Sequence, residues 1–187
     1  MIGVESSLQH IMASILILYQ TTDGHTRSIC ARIREVLESG GHRVTVVPIE
    51  TADPAALDRF DRIVVGASIR YGKHARSVYT FIEANVTALD SRPNAFFSVN
   101  AVARKPERST PQSNPYVKRF LTQIPWRPRH VEVFAGKINY PAYGFWDRLI
   151  IRLIMKITKG PTDPNAVVEF TDWQQVERFA HRVADME

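Results

Sequence analysis

Apolar residues along the chain gather in short continuous runs that alternate with stretches of helical spacing. Ile15-Leu16-Ile17-Leu18-Tyr19, Ile63-Val64-Val65-Gly66-Ala67 and Ala95-Phe96-Phe97-Ser98-Val99 leave no polar face, so each reads as a strand covered on both sides. Val44 to Ile49 and Val131 to Ala135 are two more strands. Thr26 to Ser39 carries Ile29, Ile33, Val36 and Leu37 at helical spacing and is stopped by Gly40-Gly41. Asp53-Pro54 caps a short helix through Phe60, because Asp accepts orphan amide bonds and Pro has no amide to lose. Val78, Phe81, Ile82 and Val86 mark a further helix, and Tyr116 to Ile124 a short one. Thr171-Asp172-Trp173-Gln174 reads as a capping box opening the last helix, with Val176, Phe179 and Val183 on its core face. Alternating strands and helices with five strand candidates predict an α/β fold, a doubly wound parallel sheet of order 2-1-3-4-5.

Two segments break the alternation. The stretch from Arg104-Lys105-Pro106 to Trp126-Arg127-Pro128 is a decorated loop, and Lys137 to Glu169 (residues 137–169) is too long for an ordinary connection, which usually means function. Within the latter, Phe145 to Thr158 places Arg148, Arg152 and Lys156 four apart in a cationic stripe. Leu149, Ile150, Ile151, Leu153, Ile154, Met155 and Ile157 supply a broad apolar face. That pattern suits a helix lying in a membrane interface, with Trp146 and Tyr143 near the headgroups; docking against the protein's own sheet is the alternative.

The length of 187 residues suits one domain, residues 14–187, after a dispensable extension, residues 1–13. The extension has no Lys or Arg and no long apolar core, so it is no secretory signal. No apolar stretch reaches the roughly 20 residues needed to span a bilayer. The net charge of +5 is unevenly spread: Val102 to Lys159 holds twelve of the 24 Lys and Arg but three of the 19 Asp and Glu. Such a segment attracts carboxylates or anionic lipid. Nucleic acid is not expected, since no recognised binding motif is present. Cys30, the lone cysteine, excludes an internal disulfide and sits among Ile29, Ile33 and Leu37 as a packing residue. No cluster of His, Cys and carboxylates has metal-ligand spacing.

The candidate chemistry lies where the strands end. Gln20-Thr21-Thr22-Asp23-Gly24-His25-Thr26 leads directly into a helix, whose first amides lack partners and carry partial positive charge, while the Thr hydroxyls add donors. The turn lacks the Lys of a P-loop and the spaced glycines of a dinucleotide site, so a monophosphate fits it. Ser68-Ile69-Arg70-Tyr71-Gly72 and Ser98-Val99-Asn100 end two more strands. Beyond a switch point these loops converge, the first on a phosphate and the others on a flat ring.

The first turn resembles the flavodoxin phosphate loop. Gly66-Ala67-Ser68-Ile69-Arg70-Tyr71-Gly72, Ser98-Val99-Asn100-Ala101-Val102-Ala103-Arg104-Lys105-Pro106-Glu107 and Leu153-Ile154-Met155-Lys156 are similar to the flavodoxin-type, quinone-dependent protoporphyrinogen oxidases of bacterial haem synthesis, from about Met12 to the last helix. The resemblance implies a flavodoxin-like fold, FMN as cofactor, protoporphyrinogen IX as substrate and a membrane quinone, menaquinone by expectation, as acceptor. It puts Thr21, Thr22, Asp23, Gly24, His25 and Thr26 on the phosphate, and Ala67, Ser68, Ile69, Arg70, Tyr71, Gly72, Ser98, Val99, Asn100, Ala101 and Val102 around the ring. Asp23 stands where flavodoxins often have Thr, so its carboxylate must turn from the phosphate. Tyr71 is the candidate to lie against the flavin face. Asn100 to Ala103 offers no second aromatic, leaving room for a bulky partner.

The implied reaction removes hydrogen from the bridging carbons of the porphyrinogen, with the flavin performing the hard step. Arg70, Arg104 and Lys105 are candidates to pair with the substrate's propionates. His74 is the candidate base near neutral pH. Trp146, Arg148, Arg152 and Lys156 are candidates to meet an anionic membrane, at the cytoplasmic face of a bacterial inner membrane. Three rivals share these features in part: an electron carrier, whose acidic docking face is missing, an NAD(P)H-dependent quinone reductase, and a non-enzymatic membrane-surface module.

Overall fold

A computed structural model describes residues 12–157 and 160–187. Its centre is a five-stranded parallel sheet in which β1 (Ser14–Gln20) lies between β2 (Arg43–Pro48) and β3 (Arg62–Ser68), followed by β4 (Asn94–Asn100) and β5 (His130–Ala135). The order is 2-1-3-4-5, as the alternation predicts, and Leu18 stands opposite both Val47 and Val65.

The unbroken apolar runs are explained by helices on both faces. Ile15 and Ile17 of β1 point to one core, where α1 (His25–Ser39) and α5 (Trp173–Ala184) bring Ile29, Ile33, Phe179 and Val183. Leu16 and Leu18 point to the other, where α2 (Arg76–Asp90) and α3 (Pro115–Gln123) bring Val78, Ile82 and Phe120. Gly66 in β3 is set by close approach: a Cβ there would lie 2.1 Å from Cζ of Phe97, whose ring is held by Phe134 and Phe179 at centroid distances of 5.3 and 5.8 Å. Cys30 is fully buried in the first core, and burial pushes its thiol up, as befits a packing residue.

Two sequence expectations shift. Ala13 is 4% exposed, its amide donates to Nδ1 of His42 at 3.2 Å and its carbonyl accepts from Arg43 at 3.0 Å, so the packed chain starts one residue before the expected boundary. The rest of the expected extension, Met1 to Ile11, lies outside the described residues. The last helix is capped by Asp172, which accepts from the Gln175 amide at 3.1 Å, and not by Thr171; the Thr171 hydroxyl is used elsewhere.

The long segment after β5 also has structure that periodicity could not reveal. β6 (Lys137–Asn139) pairs antiparallel with β7 (Val167–Glu169), strands too short to show alternation. Between them runs α4 (Phe145–Ile157); Thr158 lies outside the described residues. Ile138, Tyr140, Tyr143 and Met155 form a small core of their own. Met155 is the buried residue of α4, while Phe145, Trp146, Leu149, Leu153 and Ile157 are all more than half exposed. The broad apolar face is therefore not spent on the sheet. Among the described residues no helix is long and apolar enough to cross a membrane.

Candidate active site

The crevice at the carboxyl ends of β1, β3 and β4 begins at the turn into α1. Gly24 precedes the helix at φ 82°, a left-handed conformation that suits glycine, and no side chain caps the helix start. The first amides of α1 are thus left for a ligand. Oγ1 of Thr21 and of Thr26 are buried and without a hydrogen-bond partner among the described residues. Orphaned hydroxyls beside an uncapped helix start form a cradle for a phosphate. The Asp23 carboxylate accepts from Nη1 of Arg70 at 2.8 Å.

His25, the first residue of α1, is fixed by its neighbours. The Thr171 hydroxyl donates to the Ala135 carbonyl at 2.8 Å, so it accepts from Nε2–H of His25 at 2.7 Å. Burial lowers the His25 pKa, with Glu169 opposing and Lys137 assisting. Burial thus favours the neutral ring, with its Nδ1 lone pair uncommitted by that bond.

After β3 the chain makes a two-residue turn. Arg70 and Lys73 exchange backbone hydrogen bonds of 2.9 and 3.1 Å around Tyr71 and Gly72, at φ 50° and 78°. Such turns favour Asn-Gly; a tyrosine in the left-handed region costs on the order of 1 kcal/mol, the kind of strain that persists where a side chain has work to do. The Tyr71 ring is 50% exposed on the crevice wall. Its hydroxyl donates to Asp147 at the start of α4, and the Arg70 guanidinium lies 5.4 Å from its centroid.

Beneath the crevice a buried polar network joins the loops. Oδ1 of Asn100 accepts from the Ala103 amide at 3.1 Å and from Nδ2 of Asn114 at 3.2 Å. Nδ2 of Asn100 reaches Oγ of Ser98 at 3.4 Å, and Ser98 reaches Nε2 of His74, also at 3.4 Å. Because a carbonyl only accepts, Nδ1 of His74 carries the proton and donates to Ser68 at 3.2 Å. His74 is 4% exposed against the rings of Phe96 and Phe120, does not line the crevice, and is driven by burial to a pKa of about 4. This corrects its reading as a base near neutral pH: it is a neutral structural strut.

The consequence for stability has a definite sign. An unfolded histidine titrates near 6.5, whereas folded His74 stays neutral down to about 4. Above pH 6.5 the group contributes no pH dependence; as pH falls from there to about 4, only the unfolded chain takes up the proton and stability drops by up to about 3 kcal/mol. Urea melts across this window should show the slope in the wild type and a shallower one in His74→Gln. Equal slopes would contradict the assignment.

The crevice gathers most of the residues expected around a cofactor. Thr21, Thr22, Asp23, His25 and Thr26 line it from the first loop, Ser68 to Gly72 from the second, and Val99 to Val102 from the third. Gly24 borders an adjoining hollow, and Ala67 and Ser98 are fully buried in the sheet below. Arg104 and Lys105 are not on the wall; Arg104 lies 5.8 Å from the Phe170 centroid and donates to the Ala101 carbonyl at 2.7 Å. Arg70 is on the wall but bridges Asp23 at 2.8 Å and Asp147 at 2.6 Å, so its propionate role is replaced by a tie between three segments. Burial alone would lower its pKa, yet the two carboxylates and the Tyr71 hydroxyl raise it, and Asp147 is held below the usual carboxylate range first by Tyr71 and then by Arg70.

Sequence reasoning missed the far wall. Tyr116 of α3, Ile138 of β6, Tyr143 beyond it, and Ile151, Ile154 and Met155 of α4 close a space of about 890 Å³, its open mouth included. Tyr116 and Tyr143 bring to the wall the aromatics that the β4 loop lacks. Spacing could have found Ile151 and Met155, four apart on one helix face, had the helix been asked for two apolar faces instead of one. Among the described residues no three His, Cys, Asp or Glu are grouped to hold a metal.

A 2-1-3-4-5 sheet with a phosphate cradle at β1 and an aromatic turn at β3 defines a flavodoxin-type flavoprotein. Residues 16–165 match the flavodoxin domain family, and the fold is shared with a flavodoxin from the domain Archaea (TM-score 0.53, 15% identity, 92% of this chain and 96% of that one) and with Flavodoxin 2 from Bacillus cereus (TM-score 0.53, 18% identity, 92% and 99%). The chain is 43% identical over 171 residues to the protoporphyrinogen IX dehydrogenase [quinone] of Escherichia coli K12, covering 91% of this chain and 94% of that protein, and 42% identical over 166 residues to that of Leishmania major, covering 88% and 72%. It belongs to the protoporphyrinogen IX dehydrogenase (quinone) family and is an oxidoreductase. FMN, the cofactor that the flavodoxin domain implies, fits the residues present: one phosphate for the orphaned donors of the first loop and one flat ring beside Tyr71.

Proposed function

We propose that the protein oxidises protoporphyrinogen IX to protoporphyrin IX with FMN and hands the electrons to a membrane quinone, menaquinone in a bacterium. The macrocycle loses six hydrogens, so three quinones become three quinols for each porphyrin released. Bound FMN supplies the two-electron acceptor that couples these half-reactions. The observation that carries the reading is the crevice, because its phosphate cradle and Tyr71 lie at one side and α4 closes the other.

The chain's own residues bind and orient. The Thr21 and Thr26 hydroxyls hold the phosphate, Tyr71 lies against the ring, and Arg70 with Asp147 fixes the strained turn to α4. The exposed face of α4 then supports docking on an anionic membrane, which places the acceptor's own phase beside the crevice. In a bacterium that surface is the cytoplasmic face of the inner membrane, reached as a peripheral protein. Steady-state assays separate this reading from its rivals. FMN-dependent growth of porphyrin fluorescence with quinone supports it, whereas quinone reduction driven by NAD(P)H without porphyrinogen turnover would replace it with a quinone reductase.

A further inference from the structure

A second groove runs along the other side of the Tyr71 turn, between α2 and α3, with about 1180 Å³ of empty space, its open front included. It shares Ile69, Gly72 and Tyr116 with the crevice, so the two hollows meet along one wall. Lys73 from the turn, Arg76 from the start of α2 and Arg119 from α3 stand exposed around it, and none makes an ion pair among the described residues. Glu83 is the single carboxylate on its lining. Tyr79 and Tyr116 add half-buried rings, and the Arg119 charge is close enough to Tyr79 to oppose the rise that burial gives its hydroxyl.

Three unpaired cations from three elements around aromatic walls match an apolar ring system with anionic tails. We propose that this α2/α3 groove binds the tetrapyrrole substrate, Lys73, Arg76 and Arg119 pairing with its two propionates while the macrocycle reaches the crevice past Gly72 and Tyr116. The inference rests on the porphyrinogen reading above and assigns the carboxylate contacts that Arg70, Arg104 and Lys105 do not make. It also puts substrate and acceptor on opposite sides of the flavin site, the substrate along α2 and α3 and the quinone along α4. A tetrapyrrole held there need not leave before the next quinone arrives.

The test uses FMN-loaded protein. Binding of protoporphyrin IX is followed by fluorescence, with its dimethyl ester as the uncharged control, and KM is measured for protoporphyrinogen IX. Lys73→Glu with Arg76→Glu and Arg119→Glu should weaken dicarboxylate binding and raise KM by about tenfold or more, leave ester binding and FMN content unchanged, and leave quinone reoxidation of dithionite-reduced protein intact. Glu83→Gln should tighten dicarboxylate binding. The single variant Arg119→Gln, a mild surface change, should weaken it by a few-fold. Unchanged dicarboxylate binding in the triple variant, or equal loss of dicarboxylate and ester, would overturn the groove while leaving the enzyme's function standing. A wild type that turns over no porphyrinogen would overturn the function first and the groove with it.

Discussion

Replacing Thr21 and Thr26 together by Val should strip FMN from the protein while raising the melting temperature of the apoprotein. The opposite signs come from one observation: both hydroxyls are buried without partners in the chain. A hydrogen bond to a charged phosphate is worth about 1.5–3 kcal/mol, so losing two should weaken FMN binding by on the order of a hundredfold to ten-thousandfold. Without FMN the same hydroxyls are unsatisfied polar groups, each destabilising by about 1–3 kcal/mol, and a valine of similar shape removes that burden. Since about 1 kcal/mol moves the midpoint of a chain of this size by roughly 2–4 °C, the apo variant should melt several degrees higher. Calorimetry of apoprotein and flavin titration read the two effects separately. FMN affinity equal to the wild type, or release of FAD from the purified protein, would contradict the phosphate assignment.

The second large effect concerns α4. Trp146→Ser with Leu153→Ser and Ile157→Ser should release the protein from anionic vesicles and depress turnover with a lipid-borne quinone, while FMN content and oxidation by a soluble dye persist. These side chains are 71, 60 and 74% exposed, so their removal leaves no cavity. Each fully buried apolar side chain contributes about 1.5–3 kcal/mol, and even partial insertion of three should change membrane affinity on the order of a hundredfold. Lys156→Glu should add a salt-sensitive loss, about 1 kcal/mol per charge near the surface. The other two cations of the stripe are unsuitable for reversal. Nη2 of Arg148 donates to the Tyr143 carbonyl at 3.2 Å and Nε of Arg152 to the Thr162 carbonyl at 2.9 Å, so they also hold the helix in place. Full vesicle binding by the triple serine variant would leave the exposed face without its proposed partner.

How much could be read from sequence follows from the range of the interactions. The sheet order was legible because strand burial and βα alternation are local patterns: Ile15, Ile17, Leu16 and Leu18 had to find apolar cover on both sides wherever the helices came from. The loop that opens the crevice was legible because Thr21 to Thr26 are contiguous. What escaped were pairings across long stretches of chain. Arg70 looked available for a propionate because Asp23 and Asp147 meet it only in the fold. His74 looked like a neutral-pH base because burial by Phe96 and Phe120 cannot be counted along the chain. Thr171 had the right spacing for a cap, but Asp172 next to it does that work and frees Thr171 to fix His25. In α4 the amphipathic pattern was plain, while the closing of the crevice by Ile151 and Met155 depends on Arg70 and Tyr71 gripping Asp147.

Anaerobic mixing of the FMN-loaded protein with protoporphyrinogen IX, followed by a second mixing with menaquinone in anionic vesicles, follows electrons from substrate to flavin to quinone. The flavin absorbance should bleach as porphyrin absorbance grows and return when the quinone arrives. An oxidised flavin spectrum that persists in the presence of protoporphyrinogen, or bleaches only with NAD(P)H, would contradict it.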